Sequence, residues 1–187
     1  MSEALVSFSR MDRSTAADWL LVQATEAEYR KHFADRVLEL FGRCRNVTFA
    51  HKISSYEHGL QTATRALRDG ADEEMVTVAL LHDVGEVIDP DNHANLTAAL
   101  LGPYISAENA WLVRHHALFQ GYYYFSFLNR DPNERDRYRD SAAYDLTVTF
   151  CERWDQCSFD PDYDTLPLSK FEPLVRRILK REPRVSP

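Results

Sequence analysis

The sequence lacks several features, and each absence excludes a class of protein. No apolar run approaches the roughly 20 residues that span a bilayer, and the N-terminus has no signal-peptide core. Basic charge is not in excess: 22 Lys and Arg face 29 Asp and Glu, for a net charge of -7. That balance excludes a general nucleic-acid or anionic-membrane binder, although one local basic cluster suffices for a small anion. The three cysteines, Cys44, Cys151 and Cys157, form no CxxC pair and are odd in number, which argues against a disulfide framework. Internal repeats, low-complexity tracts and alternating strand patterns with hairpin turns are also missing. What remains is the expectation of a reduced, cytoplasmic, monomeric or homodimeric protein of 187 residues, a length that suits one hydrophobic core.

Helical periodicity is what the chain does have. Ser14-Thr15 caps a first short helix to about Gln23, and a second runs from about Thr25 to Phe41. Tyr29, Phe33, Val37, Leu40 and Phe41 form its apolar face, and Gly42 suits its C-terminal cap. Cys44 to Ser55 is less regular. Tyr56 to Arg68 is helical and stops at Asp69-Gly70; Asp72 then opens a buried helix that ends near Gly85. Asp89 to Asn92 is a turn, His93 to Leu101 a helix closed by Gly102-Pro103, and Ser106 starts a helix towards Phe119. Asn129 to Arg139 is a polar segment, Ala142 to Trp154 a helix, Phe159 to Pro167 a loop, and Leu168 to Arg181 a last helix. The predicted fold is all-α, a bundle of about eight helices. It divides into an N-terminal extension (1–45), a core (56–156) and a C-terminal helix (168–181).

Five of the seven histidines lie between His58 and His116. His82-Asp83 ends the apolar run Val78-Ala79-Leu80-Leu81, so two adjacent polar residues must find partners inside the protein. Alone, that pair reads equally well as a hydrogen-bonded core pair, and a lone helical histidine such as His58 is more often structural than a ligand. The ordered set changes the weighting: His58, His82-Asp83, His93, His116 and then Asp155 all lie at or near helix ends. Helical bundles build their metal sites from such inward-pointing side chains. Nitrogen and oxygen donors without thiolates suit iron, manganese or zinc. Asp83 has two oxygens and is the natural bridge between two ions, with His58, His82 and Asp155 completing one shell and His93 and His116 the other. His115 and His116 point about 100° apart on a helix; the spacing from Ser106 favours His116 as the ligand and His115 as its neighbour.

This order resembles the HD-domain superfamily, whose pattern is a histidine, a later His-Asp pair and a distal aspartate. The resemblance covers Tyr56 to Gln156. It is carried by Glu57-His58-x-Leu60-Gln61-Thr62-Ala63, Gly70-Ala71-Asp72, Ala79-Leu80-Leu81-His82-Asp83-x-Gly85 and Trp154-Asp155. Two further histidines before the distal aspartate are similar to the dinuclear members, in particular the mixed-valent diiron oxygenases that cleave carbon–phosphorus bonds; myo-inositol oxygenase is a longer, more distant look-alike. The resemblance implies two iron ions, Fe(II)/Fe(III), dioxygen as co-substrate, and conversion of a small 1-hydroxyphosphonate to a carboxylate and phosphate, with Asp83 and Glu86 at the reacting centre. The rival reading is a metal-dependent phosphohydrolase of nucleotides or other phosphomonoesters, and a third is a ligand-binding module without activity.

The chain departs from those oxygenases at two places. Thr48 and His51 stand where the relatives carry a tyrosine and a glutamate that act as a lid. Glu86 stands where they carry histidine or lysine, and an ionised carboxylate only accepts hydrogen bonds. Beyond His116, the segment Gln120 to Phe127 is unusually aromatic. It reads either as packing or as a cage for an alkylated ammonium. Arg130, Arg135, Arg137 and Arg139, interleaved with acids, read as a solvated face or as a phosphonate clamp. Cage and clamp together (Gln120, Tyr122, Tyr123, Tyr124, Ser126, Arg130 and Arg135) suit a zwitterion. The specific candidate is (1-hydroxy-2-(trimethylammonio)ethyl)phosphonate, which would yield glycine betaine.

Overall fold

The computed structural model describes residues 4–184, so the first three residues of the N-terminal extension lie outside the described residues, as do the last three of the chain. Among the described residues there are eight α-helices and no strand: α1 (Ala16–Lys31), α2 (Phe33–Arg43), α3 (Ser55–Arg68), α4 (Glu73–Leu81), α5 (His93–Leu101), α6 (Ala107–Tyr124), α7 (Tyr144–Phe150) and α8 (Leu168–Leu179). This is the all-α bundle that the periodicity predicts. Side chains fix where four of these helices begin. Thr15, Ser54, Asp72 and Ser106 each accept the backbone N–H three residues on. At Thr15 and Ser54 the acid at the third position, Asp18 or Glu57, reaches back to close a capping box.

Several boundaries differ from expectation. No break occurs between Gln23 and Thr25; α1 runs on to Lys31 and the chain kinks at His32. Neither Gly nor Pro marks that kink; the Tyr29 carbonyl accepts the His32 N–H at 3.3 Å and the Arg36 guanidinium at 2.9 Å. Tyr29 is consequently exposed, with the Arg36 guanidinium over its ring, while α2 turns Val37 and Phe41 into the core. Gly42 lies inside α2 rather than capping it; the left-handed glycine is Gly70, with φ of 79°. α4 stops at Leu81, and a 3₁₀ turn over Val84–Val87 follows. α6 continues past Phe119 to Tyr124, so the aromatic segment is α-helical up to Tyr124 and passes into a 3₁₀ turn over Phe125–Leu128. Beyond α7, Cys151–Asp155 form a π-helical turn, a local widening often found at functional sites.

α4 is the centre of the bundle, since every residue from Met75 to Leu81 is buried. α3 and α8 pack against it, α5 lies on α6, and α6 lies on α7. The α3–α4 contact is unusually close because of Gly59. A Cβ there would sit 2.5 Å from the Leu80 carbonyl oxygen and 2.9 Å from the Phe41 ring. That approach brings His58, next to Gly59, up to His82, two residues past Leu80.

A single carboxylate ties the same central helix to α6 and α8. Glu74, in the first turn of α4, accepts the Ser106 backbone N–H at 2.6 Å and the Asn109 amide at 2.8 Å, and pairs with Arg181. Burial opposes its charge, yet the Ser106 N–H, Arg181 and Asn109 outweigh burial and bring it from 4.5 to about 2. A folded-state value below the unfolded one stabilises the fold above about pH 4.5, and the contribution is lost as pH falls towards about 2. Glu74→Gln should therefore cost about 2 kcal/mol at neutral pH. Denaturant titrations at a series of pH values should show the gap to wild type closing through that window; a gap independent of pH would assign the effect to packing.

Candidate metal centre

Six side chains from five elements converge at the open end of α4. His58 comes from α3, His82 and Asp83 from the end of α4, His93 from the first residue of α5, His116 from α6, and Asp155 from the π-helical turn. Each imidazole is held by a backbone carbonyl behind it. Nδ1 of His58 faces Ser158 O at 2.9 Å, that of His82 faces Ala79 O at 3.0 Å, that of His93 faces Pro90 O at 2.6 Å and that of His116 faces Val113 O at 2.7 Å. A carbonyl only accepts, so each Nδ1 carries the proton and donates it, leaving Nε2 to face the centre.

The four Nε2 atoms divide over the two oxygens of Asp83. Oδ2 lies 3.4 Å from His58 Nε2 and 3.2 Å from His82 Nε2. Oδ1 lies 3.3 Å from His93 Nε2 and 2.9 Å from His116 Nε2. Asp155 Oδ1 joins the first pair, 3.1 Å from His58 and 3.5 Å from His82. Within the pairs the Nε2 atoms are 3.2 Å and 3.4 Å apart. Two neutral imidazole lone pairs at such distances repel, and a shared cation removes the repulsion. Asp155 Oδ2 is buried with no hydrogen-bond partner among the described residues, which costs about 1–3 kcal/mol unless a cation takes up the free oxygen. The nitrogen and oxygen donors fit first-row divalent metal ions.

The electrostatics agree with this donor set. Burial opposes the charge of both carboxylates, but the histidines hold Asp83 and Asp155 well below the usual carboxylate range. Burial opposes protonation of His58 and His82 too, yet Asp155 and Asp83 raise both rings above the ordinary value. A metal-free centre thus attracts protons that a metal ion displaces on binding. Burial, with the charges of Asp83 and Glu86, pushes the Cys44 thiol up to about 12, so it stays protonated beside the centre.

The structure gathers the six expected metal donors and leaves the expected substrate residues elsewhere. His115 stacks on Trp111, with ring centroids 3.9 Å apart, and lies outside the cluster. A cavity of about 50 Å³ opens beside the donors, lined by His51, Ile53, Ser54, Ser55, His58, Asp83, Glu86 and Phe159. None of Gln120, Tyr122, Tyr123, Tyr124, Ser126, Arg130 or Arg135 lines it. Rings and cations of this segment stack on each other instead, although Arg135 Nε and Nη1 are buried with no hydrogen-bond partner among the described residues. Arg135 lies over Tyr122 at 3.8 Å and Arg130 over Phe125 at 3.5 Å, with Arg130 also bonded to Glu134. Tyr123 packs against the core, and Ser126 is exposed. Tyr124 alone senses the centre: burial and the charge of Asp155 push its phenol up against the pull of Arg130. Of the two lid positions, Thr48 is exposed and off the cavity, while a turn through left-handed Phe49 and Ala50 carries His51 to the rim.

Three contributors escape a reading by residue type. Ser158 acts through its carbonyl; Phe159 stacks on His58 with centroids 4.5 Å apart and meets His51 edge-on at 5.0 Å. Ser55 donates to Glu86 at 2.6 Å. A larger groove of about 790 Å³ lies between α1 and the end of α8, and none of the six donors reaches it.

Bundle and donor set together define an all-α metal-binding domain built around a histidine–aspartate pair. A family model described as HD domain matches residues 55–159, more than half of the 187-residue chain, and the chain belongs to that family. HD domains are typically metal-dependent enzymes. No curated protein matches the chain.

Elemental analysis of purified protein should find two metal ions per chain, and Asp83→Ala should lose both while keeping its helical circular dichroism. Retention of both would remove the bridge. Gly85 offers a separate handle, since a Cβ there would lie 2.5 Å from the His93 carbonyl oxygen. Gly85→Ala should displace His93 and weaken one ion by about tenfold or more while sparing the other; equal weakening of both would contradict the division into two shells.

Proposed function

We propose that the chain is a dinuclear metal-dependent oxygenase that cleaves the carbon–phosphorus bond of a small 1-hydroxyphosphonate. The observation that carries this reading is the division of Asp83, one oxygen towards His58 and His82 and the other towards His93 and His116. Two shells that share one carboxylate suit two adjacent ions, and donors without thiolate suit an Fe(II)/Fe(III) pair. When bound, such a pair would supply Lewis acidity towards the hydroxyl and phosphonate oxygens and redox capacity towards dioxygen.

The chain's own residues supply position and exclusion. His58, His82 and Asp155 would hold one ion, His93 and His116 the other, and Asp83 both. Carbonyls behind the rings preset their orientation, so little reorganisation is needed on binding. Phe159 covers His58 and keeps water from that side of the centre. The cavity of about 50 Å³ holds only one or two waters. Substrate entry would therefore displace Phe159 and His51, both exposed at the rim. Their ring faces would then meet an alkylated ammonium, in place of the Tyr122–Tyr124 segment, whose rings are already engaged. The Glu86 carboxylate at the cavity wall would accept from a hydroxyl or a water.

For (1-hydroxy-2-(trimethylammonio)ethyl)phosphonate the atoms balance with one dioxygen. The C1–H and C–P bonds break, both oxygen atoms enter the products, and glycine betaine, hydrogenphosphate and one proton result. A dinuclear phosphohydrolase uses the same donors, and membership of the HD-domain family favours it as the second reading.

Protein loaded with iron under anaerobic conditions should release phosphate from this phosphonate only after oxygen is admitted. Oxygen-independent phosphate release from nucleotides would overturn the oxygenase in favour of the hydrolase. The trimethylated substrate should be preferred about fivefold over its primary-amine analogue, as an aromatic contact with the cation predicts, and equal use would remove that contact.

A further inference from the structure

The two donor shells are unequal as they stand. The first has His58, His82, Asp155 and a share of Asp83; the second has only His93, His116 and the other share. Resting on the dinuclear reading, we propose that Glu86 is the terminal carboxylate ligand of the second ion and that Ser55 aims it there.

Three observations converge on this assignment. A Glu86 oxygen, a donor atom of Asp83 and one of His93 all lie within 4.8 Å of one another. Glu86 rides on the 3₁₀ turn Val84–Val87 directly after Asp83, and that turn packs on α5, the helix that begins with His93. Position and ligand partner are thus set by the same contact. The second observation is Ser55, the first residue of α3, whose hydroxyl donates to Glu86 Oε2 at 2.6 Å across the cavity wall. That bond fixes the rotamer of a long, flexible side chain, which is what an orienting partner does for a metal-bound carboxylate. The third is charge. Glu86 is half-buried next to Asp83, and among the described residues no Lys or Arg pairs with it. Two carboxylates side by side without a cation repel, and a metal ion between them reverses the sign of that interaction.

With Glu86 included, each ion has two histidines, one terminal carboxylate and one oxygen of Asp83. The shells become equivalent in donor type, and three carboxylates face the two ions. The second ion would then bind about as tightly as the first, rather than as a loosely held partner.

The test is Mn(II) binding to the full chain, followed by chelator competition and electron paramagnetic resonance. Wild type should bind two ions and give the spectrum of a coupled pair. Glu86→Ala should weaken one ion at least tenfold, leave the other within twofold of wild type, and show an isolated-ion spectrum at one equivalent. Ser55→Ala should weaken the same ion by a smaller factor. Comparable metal-free melting temperatures would exclude a folding defect, and the isosteric Glu86→Gln gives the same reading if the alanine variant does not fold. Two ions bound by Glu86→Ala and Glu86→Gln with wild-type affinities would overturn the assignment and leave the dinuclear reading intact. A wild type that binds one ion would instead overturn the dinuclear reading, and the assignment with it.

Discussion

Asp83 presents one carboxylate oxygen to each of two histidine pairs, and the bundle is arranged so that it can. Four imidazole Nε2 atoms within hydrogen-bonding range of one half-buried carboxylate would be an unstable assembly in isolation. Their lone pairs face each other in pairs, and Asp155 adds a second buried anion. What holds the rings in place is the rigid backbone behind them. Three of the four Nδ1 groups donate to a carbonyl only three residues earlier in the chain, and His58 donates to Ser158 across the bundle. Orientation is thereby set by helix ends and one loop, elements that the core packs tightly.

The surrounding fold serves the same convergence. Gly59 lets α3 approach α4 until His58 meets His82. Gly85 lets the 3₁₀ turn approach the start of α5, which brings His93 to Asp83. Glu74 clamps the opposite end of α4 to the start of α6, so that His82 and His116 keep their relative positions. The π-helical turn after α7 carries Asp155 in beside His58 and His82, while the Trp154 indole bonds Asp69 at 2.7 Å and anchors that turn to the end of α3. The cavity beside the resulting centre is lined by Glu86, Ser55, Phe159 and His51 among others.

Much of this was legible in the residues, for identifiable reasons. A histidine and an aspartate at the end of an apolar helix must be satisfied inside the protein, and capping residues such as Thr15, Asp72 and Ser106 mark helix starts by chemistry that acts locally. The kink at His32 carries no glycine or proline, so α1 and α2 read as one amphipathic face and Tyr29 is assigned to the core when it is exposed. Ser158 contributes through a backbone carbonyl, which has no residue identity to read. The aromatic segment after His116 is open to two readings because the arginine over Tyr122 lies on a later 3₁₀ turn, Glu134–Tyr138, and only the fold decides that Arg135 meets Tyr122. Phe159 and Ser55 were invisible for the same reason: their roles depend on which elements face each other across the cavity.

The central claim is that Asp83 separates two metal ions. Anomalous diffraction from crystals of the protein equilibrated with Mn(II), measured near the manganese edge, tests it most directly. The account predicts two peaks on opposite sides of the Asp83 carboxylate, one beside His58, His82 and Asp155 and one beside His93 and His116. A single peak at full loading, confined to the His58–His82–Asp155 side, would contradict it.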